Sequence, residues 1–284
     1  MLALFLGVTG IGFAPLLVRI SVVGPSATAF YRLLFALPFL WFWMSRTQAT
    51  QPDVPKPVTA ADYWHLALAG LLFVGDLSIW HVSLFYTSIA NSTLLTNCAP
   101  IFVTLGGWLL FKEKVSKLFL LGMILALAGA VVLVSESLSI KREHLLGDVL
   151  ALVAALFYSG YLLSVKYLRT KFSGPTILAW SGLVSCPGFL IVAAASHENL
   201  WPGQLRGWVV VIALALLSHV GGQTLIAYAF GHLPAGFTSL GLLWQPVVAG
   251  ILAWLLLNEP LTTIQIIGGL VVLAGIALAN QSRR

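Results

Sequence analysis

Hydrophobic residues in this chain come in ten long runs instead of the two-residue alternation or the narrow apolar stripe of a soluble fold. The runs cover roughly 2–21, 26–45, 63–85, 90–111, 117–136, 146–166, 175–195, 207–230, 235–257 and 262–280, each close to the ~20 residues that carry a helix across a bilayer. Most breaks between them are short and hold Gly, Pro or a charge, as at Gly24-Pro25, Gly174-Pro175 and Leu233-Pro234. The longest polar stretch, Arg46 to Asp62, contains Pro52, Pro55 and Pro57 and predicts an extended surface loop. No connection is long enough to bury a core of its own. The pattern predicts an all-α polytopic membrane protein of ten transmembrane helices.

Composition sharpens this. The 284 residues are 59% hydrophobic and 8% charged, with a mean hydropathy of +0.97, whereas soluble domains carry about a quarter charged residues. The net charge of +6 is spread as single cations at the ends of apolar runs, which reads as orientation and excludes a nucleic-acid surface. With the N-terminus inside, the inner loops and tail hold Arg46, Lys56, Lys112, Lys114, Lys117, Lys166, Arg169, Lys171, Arg283 and Arg284. The outer loops hold only Arg19, Lys141, Arg142 and Arg206. Both termini are therefore expected in the cytoplasm, with the chain in a bacterial inner (plasma) membrane. The first run lacks a basic n-region and a small-residue cleavage site, so it reads as a transmembrane helix and not a signal peptide, though its abrupt start leaves room for a longer native N-terminus. Cys98 and Cys186 each sit alone in an apolar run without CxxC or Cys/His spacing, and no metal or cofactor is implied.

The chain also repeats itself. Pro100, Trp108, Glu113, Gly122 and Gly129 stand opposite Pro246, Trp254, Glu259, Gly268 and Gly275 at one ungapped offset. Runs four and five thus match runs nine and ten, and the repeating unit is five helices long. An odd number of spans turns the second copy upside down, the inverted-topology repeat of secondary transporters. The expected units are 1–136 with helices one to five, an outer connecting loop at 137–145, and 146–284 with helices six to ten.

The paired stretches TSIANSTLLTNCAPIFVTLGGWLLFKEK and LPAGFTSLGLLWQPVVAGILAWLLLNEP, with their continuations LLGMILALAGAVVLV and IIGGLVVLAGIALAN, resemble the EamA-type members of the drug/metabolite transporter superfamily. The resemblance covers essentially the whole chain as two EamA units. It implies a ten-helix carrier with cytoplasmic termini and a central substrate cavity, working by alternating access. The family moves amino acids, other metabolites and drugs, usually outward, and its motifs mark the fold and not the substrate.

Several residues carry candidate chemistry. Pro100 and Pro246 fall near the middle of helices four and nine, where each is expected to kink its helix and act as a hinge, or simply to bend it for packing. Asn97, Gln245 and Trp244 lie beside them as cavity-lining candidates. Arg32 and Asp76 lie about 9 Å and 14 Å below the outer ends of helices two and three at 1.5 Å per residue. They either form a structural pair, or Arg32 meets a substrate carboxylate and Asp76 an amine or a proton. Trp80 shares the helical face of Asp76, His81 lies on a neighbouring stripe, and His219 and Gln223 share a face of helix eight. Tyr158 and Tyr161 of helix six are candidate aromatic walls, while Trp180 of helix seven reads as an interface anchor. Glu113 and Glu259 mark helix junctions, where a carboxylate suits the positive end of the following helix. Asn91 and Thr93 are expected to cap helix four, and the glycines of helices one and ten to allow close packing.

The function these features predict is secondary-active export of a small organic metabolite, such as an amino acid or a related compound. Neither a Walker A sequence nor a nucleotide domain is present, so the energy source would be a proton or exchange, with Asp76 or His81 as proton carrier. No HExxH, GxSxG or paired-aspartate motif supports an enzyme. An importer is the nearest alternative, followed by a channel or an intramembrane enzyme. The partners expected are the small-molecule substrate and the lipid bilayer, with the chain a monomer or a homodimer.

Overall fold

The structure, a computed structural model, describes residues 1–135, 138, 141–257 and 261–281. Among them are ten helical stretches long and apolar enough to cross a membrane, and they fall on the ten hydrophobic runs. Seven are single helices: α1 (Leu2–Arg19), α2 (Pro25–Thr50), α3 (Ala60–Ser83), α6 (Lys117–Val134), α7 (Leu145–Leu168), α8 (Gly174–Ala195) and α13 (Thr263–Gln281). The fourth is divided into α4 (Ile89–Thr96) and α5 (Ala99–Phe111), and the ninth into α11 (Ala235–Gly241) and α12 (Trp244–Leu257). The eighth begins as α9 (Leu205–Ala213), widens into a π-helix over Leu214–Gln223, and ends as α10 (Thr224–His232). No strand occurs among the described residues.

Local chemistry sets the helix ends. Ser88, Ser116 and Ser173 each accept a hydrogen bond from the backbone N–H three residues on, capping α4, α6 and α8. The cap of α4 is thus Ser88, one turn before Asn91, because its short hydroxyl reaches back onto the Asn91 N–H at 3.1 Å. Helix α2 runs past Arg46 to Thr50, and the extended loop is correspondingly shorter than Arg46–Asp62. The Arg46 guanidinium lies 5.8 Å from the Phe42 ring centroid, so the long side chain folds along the helix and does not end it.

Backbone contacts divide the chain into two compact units, and each draws on both halves of the sequence. Unit one comprises Met1–Ser78 and Ser164–His232; unit two comprises Ile79–Leu163 and the chain from Leu233 onward. In unit one α2 packs along α8, and α1 along the π-helical segment. Glu198 Oε2 accepts from Ala27 N at 2.9 Å in the first turn of α2, and Tyr31 donates to the Leu200 carbonyl at 2.8 Å. Elsewhere in the unit Asp62 accepts from Thr59 N at 3.1 Å and pairs with Lys171 Nζ at 2.6 Å. Arg169 donates to the carbonyls of Ala227 and Phe172 at 3.0 and 2.6 Å. Trp180 stacks its edge between Trp41 and Tyr63, with centroids 5.1 and 5.0 Å away.

In unit two α6 and α13 run together over their whole length. A Cβ on Gly129 would stand 2.5 Å from Val272 N, and one on Gly122 2.5 Å from Ala279 N. Nothing larger than hydrogen fits there, so these small-residue faces are turned to each other inside the chain.

Candidate functional site

Unit one holds several buried polar groups. His219 sits in the π-helical segment with 2% of its surface exposed, and neither ring nitrogen has a hydrogen-bond partner among the described residues. The hydroxyls of Ser218, Thr224 and Ser78 are likewise buried and without a partner among the described residues. The Phe73 ring of α3 lies 6.2 Å from the imidazole, and Arg32 of α2 belongs to the same unit. Asp76 follows Phe73 by three residues on α3 and is 4% exposed. Gln223 is buried at the end of the same π-helical segment as His219.

Two features single out these groups. A buried polar group left unmet costs about 1–3 kcal/mol, so each calls for a water, an ion or a solute. A π-helical stretch, rare elsewhere, concentrates at functional sites because its wider turn re-aims side chains. Sequence periodicity placed His219 and Gln223 on one face but gave no sign of the π-helix, which shifts the register by only a fraction of a turn.

Unit two carries two breaks. The fourth span stops at Asn97, the C-cap of α4, and restarts at Ala99, leaving Pro100 as the second residue of α5. The ninth span stops at Gly241 and restarts at Trp244, followed by Gln245 and Pro246. Both prolines were expected to bend continuous helices; instead each occupies the first turn of a new one. There its missing N–H would have had no intrahelical partner, so the proline removes no helical bond. Short i→i+3 bonds close the ends: Cys98 N to Leu95 O at 3.1 Å, and Leu243 N to Leu240 O at 3.1 Å. Ser159 of α7, which sequence reasoning passed over, lies 3.1 Å from the Ala99 carbonyl. Asp148, also passed over, accepts from Thr87 Oγ1 at 2.6 Å and Asn91 Nδ2 at 3.3 Å and so holds the start of α4.

The remaining candidates distribute as follows. Tyr158 and Tyr161 stack with centroids 6.4 Å apart in unit two, Tyr161 being buried. Trp80 and His81 are both half-buried at the end of α3, with ring centroids 5.3 Å apart. Trp244 and Gln245 are half-buried at the restart of the ninth span. Both oxygens of Glu113 lie 2.9 Å from Ala235 N at the start of α11. Ser116 serves α6 in its place. Glu259 lies outside the described residues.

Ten spans long and apolar enough to cross a membrane, two of them interrupted along their length, define a polytopic membrane protein. The chain belongs to the EamA-like transporter family, whose model matches residues 1–135 and again 145–281. It is 24% identical over 269 residues to an uncharacterized transporter of Archaeoglobus fulgidus, covering 93% of this chain and 90% of that one. It is also 25% identical to the uncharacterized transporter YdfC of Bacillus subtilis, over 96% and 88% of the two chains. A riboflavin transporter of Vibrio cholerae matches at 26% identity over 61% of this chain and 56% of its own. A solved crystal structure shares the fold with a TM-score of 0.85 at 16% identity, covering 100% of this chain and 97% of that one.

Proposed function

We propose that the protein is a secondary-active carrier that exports a small organic metabolite, such as an amino acid or a related compound, by alternating access. The observation that carries this reading is the pair of breaks at Asn97–Cys98 and Leu242–Leu243, at matching places in two sequence-related spans. Interrupted spans expose backbone polar groups that hydrocarbon does not satisfy, and carriers use them to meet solutes and to hinge. In this reading residues 1–136 and 146–284 are inverted five-helix repeats joined by 137–145, and Pro100 and Pro246 mark the hinges. The substrate-facing groups are Arg32, Asp76, His219 and Gln223 in unit one. Trp80, His81, Asn97, Tyr158, Tyr161, Trp244 and Gln245 serve in unit two. Glu113 and Glu259 are structural. The similarity to a riboflavin transporter supports a small organic cargo without naming it.

The cation asymmetry supports an inner-membrane location with both termini in the cytoplasm. Coupling to protons would run through Asp76 or His81. Asp76→Asn then abolishes pH-driven accumulation in vesicles while exchange persists, and unchanged pH-driven uptake removes Asp76 from the mechanism. The cargo is found by profiling metabolites inside and outside an overexpressing strain against a deletion strain. Export predicts at least one metabolite enriched outside the first and depleted outside the second. Uniform extracellular profiles contradict it, and the reverse enrichment makes the protein an importer.

A further inference from the structure

Unit two carries a cleft of about 790 Å³ between α5 and α6 whose composition changes from one end to the other. Ile101, Leu105, Trp108 and Leu120 form its walls, and the Thr104 hydroxyl, donating to Met123 Sδ at 3.7 Å, closes its floor. It ends at the α5–α6 turn, where Lys112 and Lys114 line it and are both exposed. Glu113 also lines this turn, but its carboxylate is held at Ala235 N, so the mouth presents two exposed lysines against one engaged carboxylate. From Ile101 to Lys112 the helix rises about 16 Å at 1.5 Å per residue. That is about half the ~30 Å hydrocarbon core of a bilayer, the depth of one leaflet.

The repeat supplies an internal comparison. In sequence Asn258 and Pro260 stand opposite Lys112 and Lys114, so the two lysines are not part of what the repeat shares. Orientation accounts for cations at an inner turn. It does not account for an apolar cleft, one leaflet deep, that leads to them. We propose that the cleft binds an anionic glycerophospholipid, one acyl chain lying along α5 and the phosphate held by Lys112 and Lys114. Lysine meets a phosphate as a compact point charge, and each lysine at a membrane surface adds appreciably to the attraction of anionic lipid. A zwitterionic headgroup brings its own cation and loses most of that attraction. The site is independent of the cargo and of the transport reading.

The test uses the full chain purified in a neutral detergent, followed by native mass spectrometry and thermal melting. The added probes are phosphatidylglycerol, phosphatidylcholine with the same chains, and inorganic phosphate. Phosphatidylglycerol is expected to bind and raise the melting temperature, and the other two to do neither. Lys112→Asn with Lys114→Gln should weaken phosphatidylglycerol about thirtyfold, which is about 2 kcal/mol at 1.4 kcal/mol per tenfold. Lys112 has a left-handed φ of 54° that asparagine tolerates, so the lipid-free melting temperature should stay in place. Phosphatidylglycerol with brominated chains should also quench a share of the tryptophan emission that Trp108→Phe removes. Equal phosphatidylglycerol binding by wild type and the lysine variant overturns the proposal, as does equal binding of phosphatidylcholine. Stabilisation by inorganic phosphate alone makes this a free-anion site, and quenching unchanged by Trp108→Phe places the lipid elsewhere.

Discussion

His219 and Glu113 show two opposite uses of a polar side chain. Glu113 is matched: its carboxylate takes the first free N–H of α11, a charge-assisted cap that Glu113→Gln should weaken. A loss of about 1–2 kcal/mol in unfolding free energy is expected, read as a lower melting temperature. His219 is unmatched, with two buried nitrogens and no partner among the described residues. His219→Phe removes them while keeping an aromatic ring beside Phe73, so stability should hold or rise by about 1 kcal/mol. Transport should nevertheless fall at least about tenfold, the worth of one hydrogen bond to a solute. Lost stability with transport intact would make His219 a packing residue. A junction role for Glu113 was legible from sequence but its partner was not, and His219 stood out as a candidate without any sign that its nitrogens are unmet. The partner of Glu113 is a backbone N–H 122 positions away, and a histidine in an apolar run looks the same whether it is satisfied or not.

At the scale of elements, hydropathy located all ten spans because their sequences differ so sharply from the short charged connections. What it missed were events inside a span that leave hydropathy unchanged: the breaks before Pro100 and Pro246 and the π-helix at Leu214–Gln223. The prolines did point to the right places, but proline is equally compatible with a bend and with the first turn of a new helix. Cys98 reports on the first break, where it is half-buried, while Cys186 is buried in α8. In a Cys186→Ser background, Cys98 should react with a small water-soluble thiol reagent in intact vesicles, because the reactive thiolate forms only where water reaches. No labelling would mean that the break is sealed in protein or lipid. The α6–α13 seam makes the opposite prediction, of intolerance. Gly129→Leu should destabilise by more than about 2 kcal/mol, since its Cβ would meet the Val272 backbone and no side-chain rotamer relieves that clash.

For the whole molecule, each compact unit mixes helices from the two halves of the chain. A mutation in one half therefore acts on neighbours from the other, as Glu113 does at α11 and Glu198 at α2. Membership of the EamA-like family fixes the class as transporter. The most direct test of a carrier is counterflow. Proteoliposomes are loaded with the metabolite that profiling identifies, then diluted into a trace of its labelled form. A carrier working by alternating access predicts transient, saturable accumulation of label above equilibrium, abolished when the vesicles are not preloaded. Label that only equilibrates, at a rate linear in concentration and indifferent to preloading, would contradict the account and point to a channel.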